Sequence, residues 1–365
     1  MEKELFALIR LGLGISEPEK ENLSDFIMLP AAHWARLGEI AQEQGVLGVM
    51  LDGIDRLEAT DYGATRELSK DQKLEWIGNV LNGYEARNRH QLAVIEELQN
   101  KWAEAGLQMM VMKGQAMGTY YPNPKHRAPG DIDCFLFEGY AKGNETAKAW
   151  ADKVDEGWYK HSVISYKGET IENHQYFVHT REGRSSKQLN ELLTDQLSVD
   201  DLEFSELQGT GALLPPVMFN AVFLTYHALA HFLEEGLRLK QILDWAMFLK
   251  LDGNKVDWEE FYRICDKFHF RRFADVMTDI AVRYLGVKVS GSKILDSESP
   301  YTEKVLKSTF NDKDYVFGSG QSGWANRWHI VRNLFKYRWK YNEIYQRSIL
   351  WQLWWYSVGF LFKSE

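Results

Sequence analysis

The chain has 365 residues, of which 45% are hydrophobic and 26% are charged, and its formal net charge is −9 at pH 7. This is the composition of an ordinary soluble protein, and the length is sufficient for two or three structural units with a sizeable core. The acidic charge excludes an overall positive field that would attract nucleic acid. Nucleic acid is therefore the less favoured partner, although a local basic groove would be compatible with this charge.

The cysteines and the apolar segments bear on the compartment. Cys134 and Cys265 lie far apart and neither belongs to a C-x-x-C motif, so they indicate neither a disulfide framework nor a zinc site. The N-terminal segment lacks the uninterrupted apolar region of a signal peptide, because Glu2, Glu4 and Arg10 interrupt it. The apolar run at 349–362 is shorter than the roughly 20 residues of a spanning helix. We predict a cytoplasmic protein with no membrane span.

Helical periodicity dominates residues 1–106. Leu5 and Leu8 belong to a first apolar stripe, and the stretch 69–105 is long, charged and free of proline, with apolar residues at helical spacing. Gly106 is the predicted end of this helical region.

The period changes after Gly106. Residues 107–112 (LQMMVM) form a nearly continuous apolar run, which predicts a buried strand. The next predicted elements are a helix at 115–121, a loop at 122–130, a strand at 131–137, a helix at 140–156, two strands on either side of a turn at 167–168, and a loop-rich stretch at 180–208.

The chain returns to helical periodicity after Pro216. The predicted elements are helices at 216–234, 238–251, 257–268 and 270–285, an irregular stretch at 286–322, and a Trp-rich, basic helical segment at 324–362. The fold class is therefore α+β, with a small α/β unit between helical regions. We expect an N-terminal helical region at 1–106, an α/β core at 107–212 and a C-terminal helical region at 213–365.

Two aspartates stand one residue apart in the predicted strand DIDCFLF. Because side chains alternate along a strand, Asp131 and Asp133 share a face while Ile132 and Cys134 face the other way. Two neighbouring anions repel each other, and a cation between them removes the repulsion. Mg²⁺ binds through one or two carboxylates together with substrate phosphates. The pair predicts a metal–phosphate site, and the alternative is a solvent-facing strand end with two incidental acids.

The surrounding residues favour the metal–phosphate site. Lys113 and Gly114 end the preceding strand, where glycine allows backbone amides to approach phosphate and lysine supplies positive charge. Gly130 indicates a close backbone approach or a tight turn. Arg127 is a second candidate for donating hydrogen bonds to phosphate.

These motifs resemble a known family. The run VMKGQAMGTYYPNPKHRAPGDID, with TIENH at 170–174 and YHALAHFLEEGLRLKQILDW at 226–245, is similar to the uncharacterised bacterial nucleotidyltransferases of the DNA-polymerase-β-like superfamily. The resemblance covers about 107–250 and implies a mixed sheet of the nucleotidyltransferase type.

The resemblance also implies an activity and its residues. The superfamily transfers a nucleoside monophosphate from NTP to a hydroxyl acceptor and releases pyrophosphate, with two Mg²⁺ ions held by carboxylates. Asp131 and Asp133 match the two metal-binding aspartates, and Glu172 matches the third catalytic carboxylate. Glu172 and His174 share a face of their predicted strand. The acceptor stays open between a small molecule, a protein and RNA.

The C-terminal part holds further candidates. His227 and His231 lie four residues apart on a predicted helix, where they could line the cleft, bind metal or simply pack. Arg238 is a candidate phosphate contact, and its alternative is a salt bridge to Asp244 or Glu234.

A second candidate surface lies in the Trp-rich segment. Trp324, Trp328, Val331 and Phe335 form a stripe with basic residues between them. This pattern is most often a core-facing helix, and it also occurs in helices that bind membranes or RNA.

Two function classes therefore remain at the level of the sequence. The first is a Mg²⁺-dependent nucleotidyltransferase. The second is a non-catalytic module of the same fold that binds a nucleotide or a partner protein, which the unusual Lys113-Gly114-Gln115 sequence motivates. The full set of acids at 131, 133 and 172 favours the enzyme.

Overall fold

The computed structural model describes residues 2–22, 24–60, 62–179, 183–198, 203–289, 299–311, 332–333 and 335–348. The N-terminal part is helical, as predicted. Its helices are α1 (Glu2–Gly12), α2 (Ser24–Ile27), α3 (Ala31–Glu43), α4 (Leu47–Thr60), α5 (Lys70–Asn79) and α6 (Ala86–Glu104). A π-helical turn at Val80–Glu85 joins α5 to α6, so the long stretch predicted at 69–105 is one continuous helical segment.

Helices α1 and α4 cross at unusually short distance. A Cβ built on Gly12 would lie 2.0 Å from the carbonyl oxygen of Val49, and one on Gly53 would lie 2.0 Å from that of Leu8. Both atoms belong to backbone, which cannot rotate away. The two glycines therefore let the helix backbones touch, and the flanking apolar residues pack into the larger of the two hydrophobic cores.

A five-stranded mixed sheet follows the helices. Its strands are β1 (Met109–Met112), β2 (Ile132–Leu136), β3 (Lys153–Asp155), β4 (His161–Tyr166) and β5 (Glu169–His174), in the order β1-β2-β5-β4-β3. Only β2 and β5 pair in parallel, and the other neighbours are antiparallel. A short helix α7 (Gly114–Gly118) follows β1, and α8 (Tyr140–Ala147) follows β2.

The register of the central strands places the acids together. Asp133 on β2 pairs with Glu172 on β5, and His174 on β5 pairs with His161 on β4. Apolar residues on the other face, including Ile132 and Cys134, are buried in the second hydrophobic core. The alternation predicted for DIDCFLF is therefore confirmed.

Helices also follow the sheet. They are α9 (Arg184–Asp195), α10 (Val217–Glu234), α11 (Leu239–Asp252), α12 (Trp258–Lys267), α13 (Arg271–Asp279) and α14 (Thr302–Asn311), with π-helical turns at Ile280–Tyr284 and Lys340–Tyr345. The α+β class and the sheet embedded between two helical regions are confirmed, as are the helices predicted from 216 to 285. The division at 106 and 212 into three regions stays a prediction. Within the described ranges, no helix has both the length and the apolar character needed to cross a membrane.

Three predicted stretches were wrong in part. The helix predicted at 140–156 ends at Ala147, and β3 follows it at the edge of the sheet. The loop-rich stretch 180–208 contains α9, whose apolar face buries Leu189 and Leu193 between charged neighbours. The irregular stretch 286–322 contains α14. Strand β3 has three residues, so its alternation spans too few positions to stand out.

The Trp-rich stripe of the C-terminal segment falls mostly outside the described residues. Trp324, Trp328 and Val331 are not described, and neither is the apolar run 349–362. Phe335 is described and exposed. The core, membrane and RNA interpretations of this segment therefore stay predictions.

The helix crossing gives a first test of the fold. We expect Gly53→Ala to lower the free energy of unfolding by about 3 kcal/mol, because its methyl group overlaps backbone that cannot yield. Gly78→Ala in α5 is the matched control. It meets no atom within 4 Å, so it should raise stability by up to about 1 kcal/mol. Urea unfolding measures both, and equal effects of the two changes would contradict the close crossing.

Candidate active site

Three ligand-type side chains meet on one face of β2 and β5. The side chains are Asp133, Glu172 and His174, and their ligand atoms all lie within 4.8 Å of one another. His174 Nε2 lies 3.1 Å from Asp133 Oδ1 and 3.3 Å from Glu172 Oε2. His174 has no solvent exposure, and Asp133 is 6% exposed. The cluster therefore consists of two acids and one imidazole, of which Asp133 and His174 are buried and Glu172 is partly exposed.

Asp133 is held by two cationic or donor groups. The ammonium of Lys113 lies 2.6 Å from Asp133 Oδ1, the same oxygen that His174 approaches. Burial alone would raise the pKa of Asp133, but Lys113 and His174 outweigh it and hold that pKa well below its usual range. Asp133 is therefore a carboxylate at neutral pH.

Glu172 is also ionised but less enclosed. Burial acts to raise the pKa of Glu172, while the hydrogen bond from His174 and the charge of Lys113 lower it overall. His161 on β4 approaches Glu172 from the other side, with 3.7 Å between Nε2 and Oε2. The Nδ1 atom of His161 is buried and has no hydrogen-bond partner in the part of the chain that is described.

Asp131 stands at the exposed end of the same face. Partial burial and the negative charges of Glu172 and Asp133 raise the pKa of Asp131. Asp131 does not belong to the compact ligand cluster. Metal binding by Asp131 stays a prediction. The third member of the cluster, beside Asp133 and Glu172, is His174.

The turn between β1 and α7 carries local strain. Lys113 has φ +49°, which is rare for a residue with a Cβ, and Gly114 has φ +37°. A Cβ on Gly114 would lie 3.3 Å from the carbonyl oxygen of Asp131, so only glycine fits this approach without movement. The strained turn directs the ammonium of Lys113 to Asp133 and to Nε2 of His227, 3.1 Å away.

Helix α10 brings two histidines to the site. His227 Nε2 lies 2.9 Å from His231 Nε2, and His231 Nδ1 lies 3.1 Å from Glu235 Oε2. Burial, followed by the charges of Lys113 and His231, lowers the pKa of His227 well below its usual value. His227 is therefore a neutral ring whose Nε2 accepts a hydrogen bond from Lys113. Both histidines border a cleft, and their role there stays a prediction.

A cleft of about 250 Å³ separates the acids from the C-terminal helices. Asp131 and Asp133 line one side of it. The basic and histidine side chains that line it are Lys113, Arg127, Arg238, Lys240, His227 and His231. Of the residues predicted to bind phosphate, Lys113, Gly114, Arg127, Gly130 and Arg238 all border this cleft. Their contact with phosphate stays a prediction.

Lys240 was not predicted. It lies in the first turn of α11, and a Cβ built on Gly130 would lie 3.8 Å from its ammonium. Burial, together with the charge of Arg127, lowers the pKa of Lys240 to about 8. No hydrogen bond or ion pair of this ammonium is found among the described residues, and it borders the cleft. An anion in the cleft would relieve this unfavourable burial.

Arg127 is engaged within the protein. Its Nε and Nη2 atoms donate to the two carboxylate oxygens of Asp244 at 2.8 and 2.7 Å, and Tyr121 Oη donates to Asp244 Oδ1 at 2.8 Å. Arg127 and Asp244 are both buried. Asp244 therefore pairs with Arg127 and not with Arg238, and a phosphate contact by Arg127 would require this pair to open.

Helix α6 fixes the loop that leads to Asp131. Asn88 Nδ2 donates to the carbonyl of Arg127 at 3.0 Å, and Gln91 Nε2 donates to that of Gly130 at 2.7 Å. Gln115 Nε2 donates to both Asn88 and Gln91 at 2.8 Å. These three buried amides were missed in the sequence, because an isolated Asn or Gln carries no pattern.

The donor set fits a divalent cation. Two ionised carboxylates and an imidazole whose Nε2 faces them are ligands that metal sites use. Asp133, Glu172 and His174 would hold such an ion, and Asp131 stands at the exposed end of the same face.

Comparisons with known proteins identify the family of the chain. A family model described as "Uncharacterised nucleotidyltransferase" matches residues 30–286, which are 257 of the 365 residues. The chain therefore belongs to this nucleotidyltransferase family, as predicted. No curated protein matches the chain. Among solved structures, it is similar to an antigenic nucleotidyltransferase-like protein from Paracoccidioides brasiliensis, with 13% identity, coverage of 56% of this chain and 96% of that chain, and a TM-score of 0.35.

The Arg127–Asp244 pair gives a test of how the site is held. We expect Asp244→Asn to lower the free energy of unfolding by about 3–5 kcal/mol, because it leaves a buried guanidinium without its counter-charge. Glu260→Gln is the control, since it removes an exposed ion pair with Arg263 and should cost less than about 1 kcal/mol. Urea unfolding compares them, and a similar small loss in both variants would show that the buried pair is not structural.

Lys240 gives a test of the cleft's electrostatics. Below pH 8 the lysine is protonated in the folded and unfolded states, so the full cost of holding its charge in the cleft is present. We expect Lys240→Met to raise stability there by on the order of 2–3 kcal/mol. The gain should shrink between pH 8 and about 10.5, where the folded protein has already lost the proton and the unfolded chain has not.

Exposed Lys187 on α9 provides the control for this experiment. Lys187→Met should change stability by less than about 0.5 kcal/mol at any pH in this range. Thermal or urea unfolding at pH 6.5, 8 and 9.5 measures both variants. If the stability gain of Lys240→Met does not depend on pH, its cause is packing and not charge.

Proposed function

We propose that this chain is a divalent-metal-dependent nucleotidyltransferase that moves a nucleoside monophosphate from NTP to a hydroxyl acceptor and releases pyrophosphate. The observation that carries the proposal is the parallel register of β2 and β5, which puts Asp133 beside Glu172 on the face that borders a basic cleft. Membership in the nucleotidyltransferase family supports the same chemistry. Mg²⁺ is the ion that the family resemblance suggests.

The reaction joins the acceptor oxygen to the α-phosphorus and breaks the bond from that phosphorus to the bridging oxygen of pyrophosphate. The acceptor loses its hydroxyl proton. Glu172 is ionised and partly exposed, so its carboxylate oxygen that does not hold the metal ion would be suited to accept this proton. A bound divalent cation would neutralise charge on the phosphates and stabilise the entering and leaving oxygens.

The basic side of the cleft would hold the triphosphate. Lys240 has no bonding partner among the described residues, and Arg238 borders the same cleft. Lys113 pairs with Asp133. When a metal ion binds Asp133 in place of the ammonium, the ammonium of Lys113 would bind a phosphate oxygen instead. The neutral His227 accepts a hydrogen bond from Lys113 and thereby orients the ammonium.

One observation favours the second candidate, a binding module without turnover. Lys113 already compensates the charge of Asp133, so the acids are stable without a metal ion. Such a module would bind a nucleotide or a partner protein and release no pyrophosphate. The two candidates differ in product and not in the residues they use.

Nucleotide binding is the first test, because it requires no knowledge of the acceptor. We expect each NTP that binds to raise thermal stability only with Mg²⁺ or Mn²⁺ present, by about 2.7 kcal/mol at a hundred times Kd. The double variant Asp131→Asn with Asp133→Asn should lose this shift. Asp152→Asn, an exposed acid before β3, should keep it. A full stability shift in the double variant would contradict the proposed site.

Pyrophosphate release separates the two candidates. The NTP found above is incubated with pools of small molecules, proteins and RNA, and pyrophosphate is measured for the wild type and for Glu172→Gln. Steady release that Glu172→Gln abolishes supports the enzyme. Binding without release for any acceptor pool favours the module.

A further inference from the structure

The compact ligand cluster differs from the all-carboxylate set that the sequence suggested. Its third member is His174, an imidazole, and Asp131 lies outside it. Because oxygen and nitrogen donors suit different ions, this substitution bears on the identity of the metal.

The ring of His174 is oriented as a metal ligand. Its Nδ1 lies 3.2 Å from the carbonyl oxygen of Tyr176, which can only accept, so Nδ1 carries the proton. Nε2 makes the hydrogen bonds to Asp133 and Glu172, and a bound cation would take the place of these bonds. A metal-bound histidine almost always makes such a bond from its other nitrogen, because it fixes the tautomer and the ring orientation.

The surroundings of His174 hold its ring in this orientation. His174 is fully buried, and His161 packs against it with 5.1 Å between the ring centroids. Nε2 of His161 lies 3.7 Å from Glu172 Oε2, so a second imidazole stands beside this acid. The pocket thus concentrates nitrogen donors around the two acids.

This donor set is selective. Mg²⁺ is a hard ion that prefers oxygen ligands and keeps several waters. First-row transition ions bind imidazole well, and Mn²⁺ combines this with affinity for carboxylate and phosphate. Two carboxylates with one imidazole therefore favour a transition ion over Mg²⁺.

We propose that Asp133, Glu172 and His174 bind one first-row transition-metal ion, with Nε2 of His174 as a direct ligand, and that the site prefers Mn²⁺ to Mg²⁺. This inference takes one premise from the proposed function, namely that the site binds a cation. Asp131 remains at the exposed end of the face, where it can contribute oxygen ligands to a second ion.

The test uses the full chain, stripped of metal by a chelator and without nucleotide. Mn²⁺ is added, and bound ion is counted from the loss of the free-ion electron paramagnetic resonance signal. Pulsed electron spin echo measurements then detect nitrogen bound to Mn²⁺. We expect a directly coordinated ¹⁴N coupling in the wild type, which changes to a ¹⁵N coupling in protein made with ¹⁵N-histidine.

Variants assign the nitrogen. His174→Gln should abolish the coupling and weaken Mn²⁺ binding by about tenfold or more. His90→Gln, which alters an exposed imidazole on α6, should leave the coupling unchanged. If His174→Gln fails to fold, the ¹⁵N-histidine protein still decides whether a histidine binds, and Asp133→Asn should remove the bound ion.

Competition between Mg²⁺ and Mn²⁺ tests the metal preference of the site. An equal concentration of Mg²⁺ should displace little Mn²⁺, and half displacement should require about tenfold excess or more. Absence of nitrogen coupling in the wild type, or equal competition by Mg²⁺, overturns the proposal. Because no nucleotide is present, that result would leave transfer by an all-oxygen magnesium site standing, while failure of the nucleotide test would leave this metal site standing.

Discussion

The buried pair between Arg127 and Asp244 is the interaction on which the site depends. It joins the loop before β2 to helix α11, two segments 117 residues apart in the chain, and it therefore determines the width of the cleft between them. A buried ion pair is weak evidence for net stability, because desolvation offsets much of its attraction. Its geometry is nevertheless restrictive, since two parallel hydrogen bonds and the Tyr121 hydroxyl allow one arrangement.

The other features of the site follow from placing acids together on one face. Parallel pairing of β2 and β5 holds Asp133 against Glu172, and neither can move away without a break in the sheet. Their repulsion has to be offset by nearby cations or donors, which Lys113 and His174 provide. The strained backbone of Lys113 is consistent with this need, because a strained residue persists only when its surroundings hold it.

Local patterns were enough to predict the acidic face and not enough to predict its supports. Strand alternation predicts that Asp131 and Asp133 share a face of one strand and that Glu172 and His174 share a face of another. That these two strands are neighbours, as the pairing of Asp133 with Glu172 shows, was implied only by the family resemblance. The partner of Asp244 could not be predicted, since nothing near either residue indicates a contact across more than a hundred positions. Lys240 looks like an ordinary helix lysine in the sequence, and the approach of the segments at Gly45 and Gly130 buries it.

The two walls of the cleft differ in how they are built, and this difference suggests how a ligand would enter. The acids lie on or directly before a central strand of the sheet, whose neighbours restrict each side chain. Arg238 and Lys240 lie at the start of α11, on the side of the cleft that faces the acids. Under the proposed function, an anionic ligand would meet these two cations while the acids stay in place. The sheet would then hold the reacting atoms, which tolerate little displacement, and the helical wall would hold the phosphates.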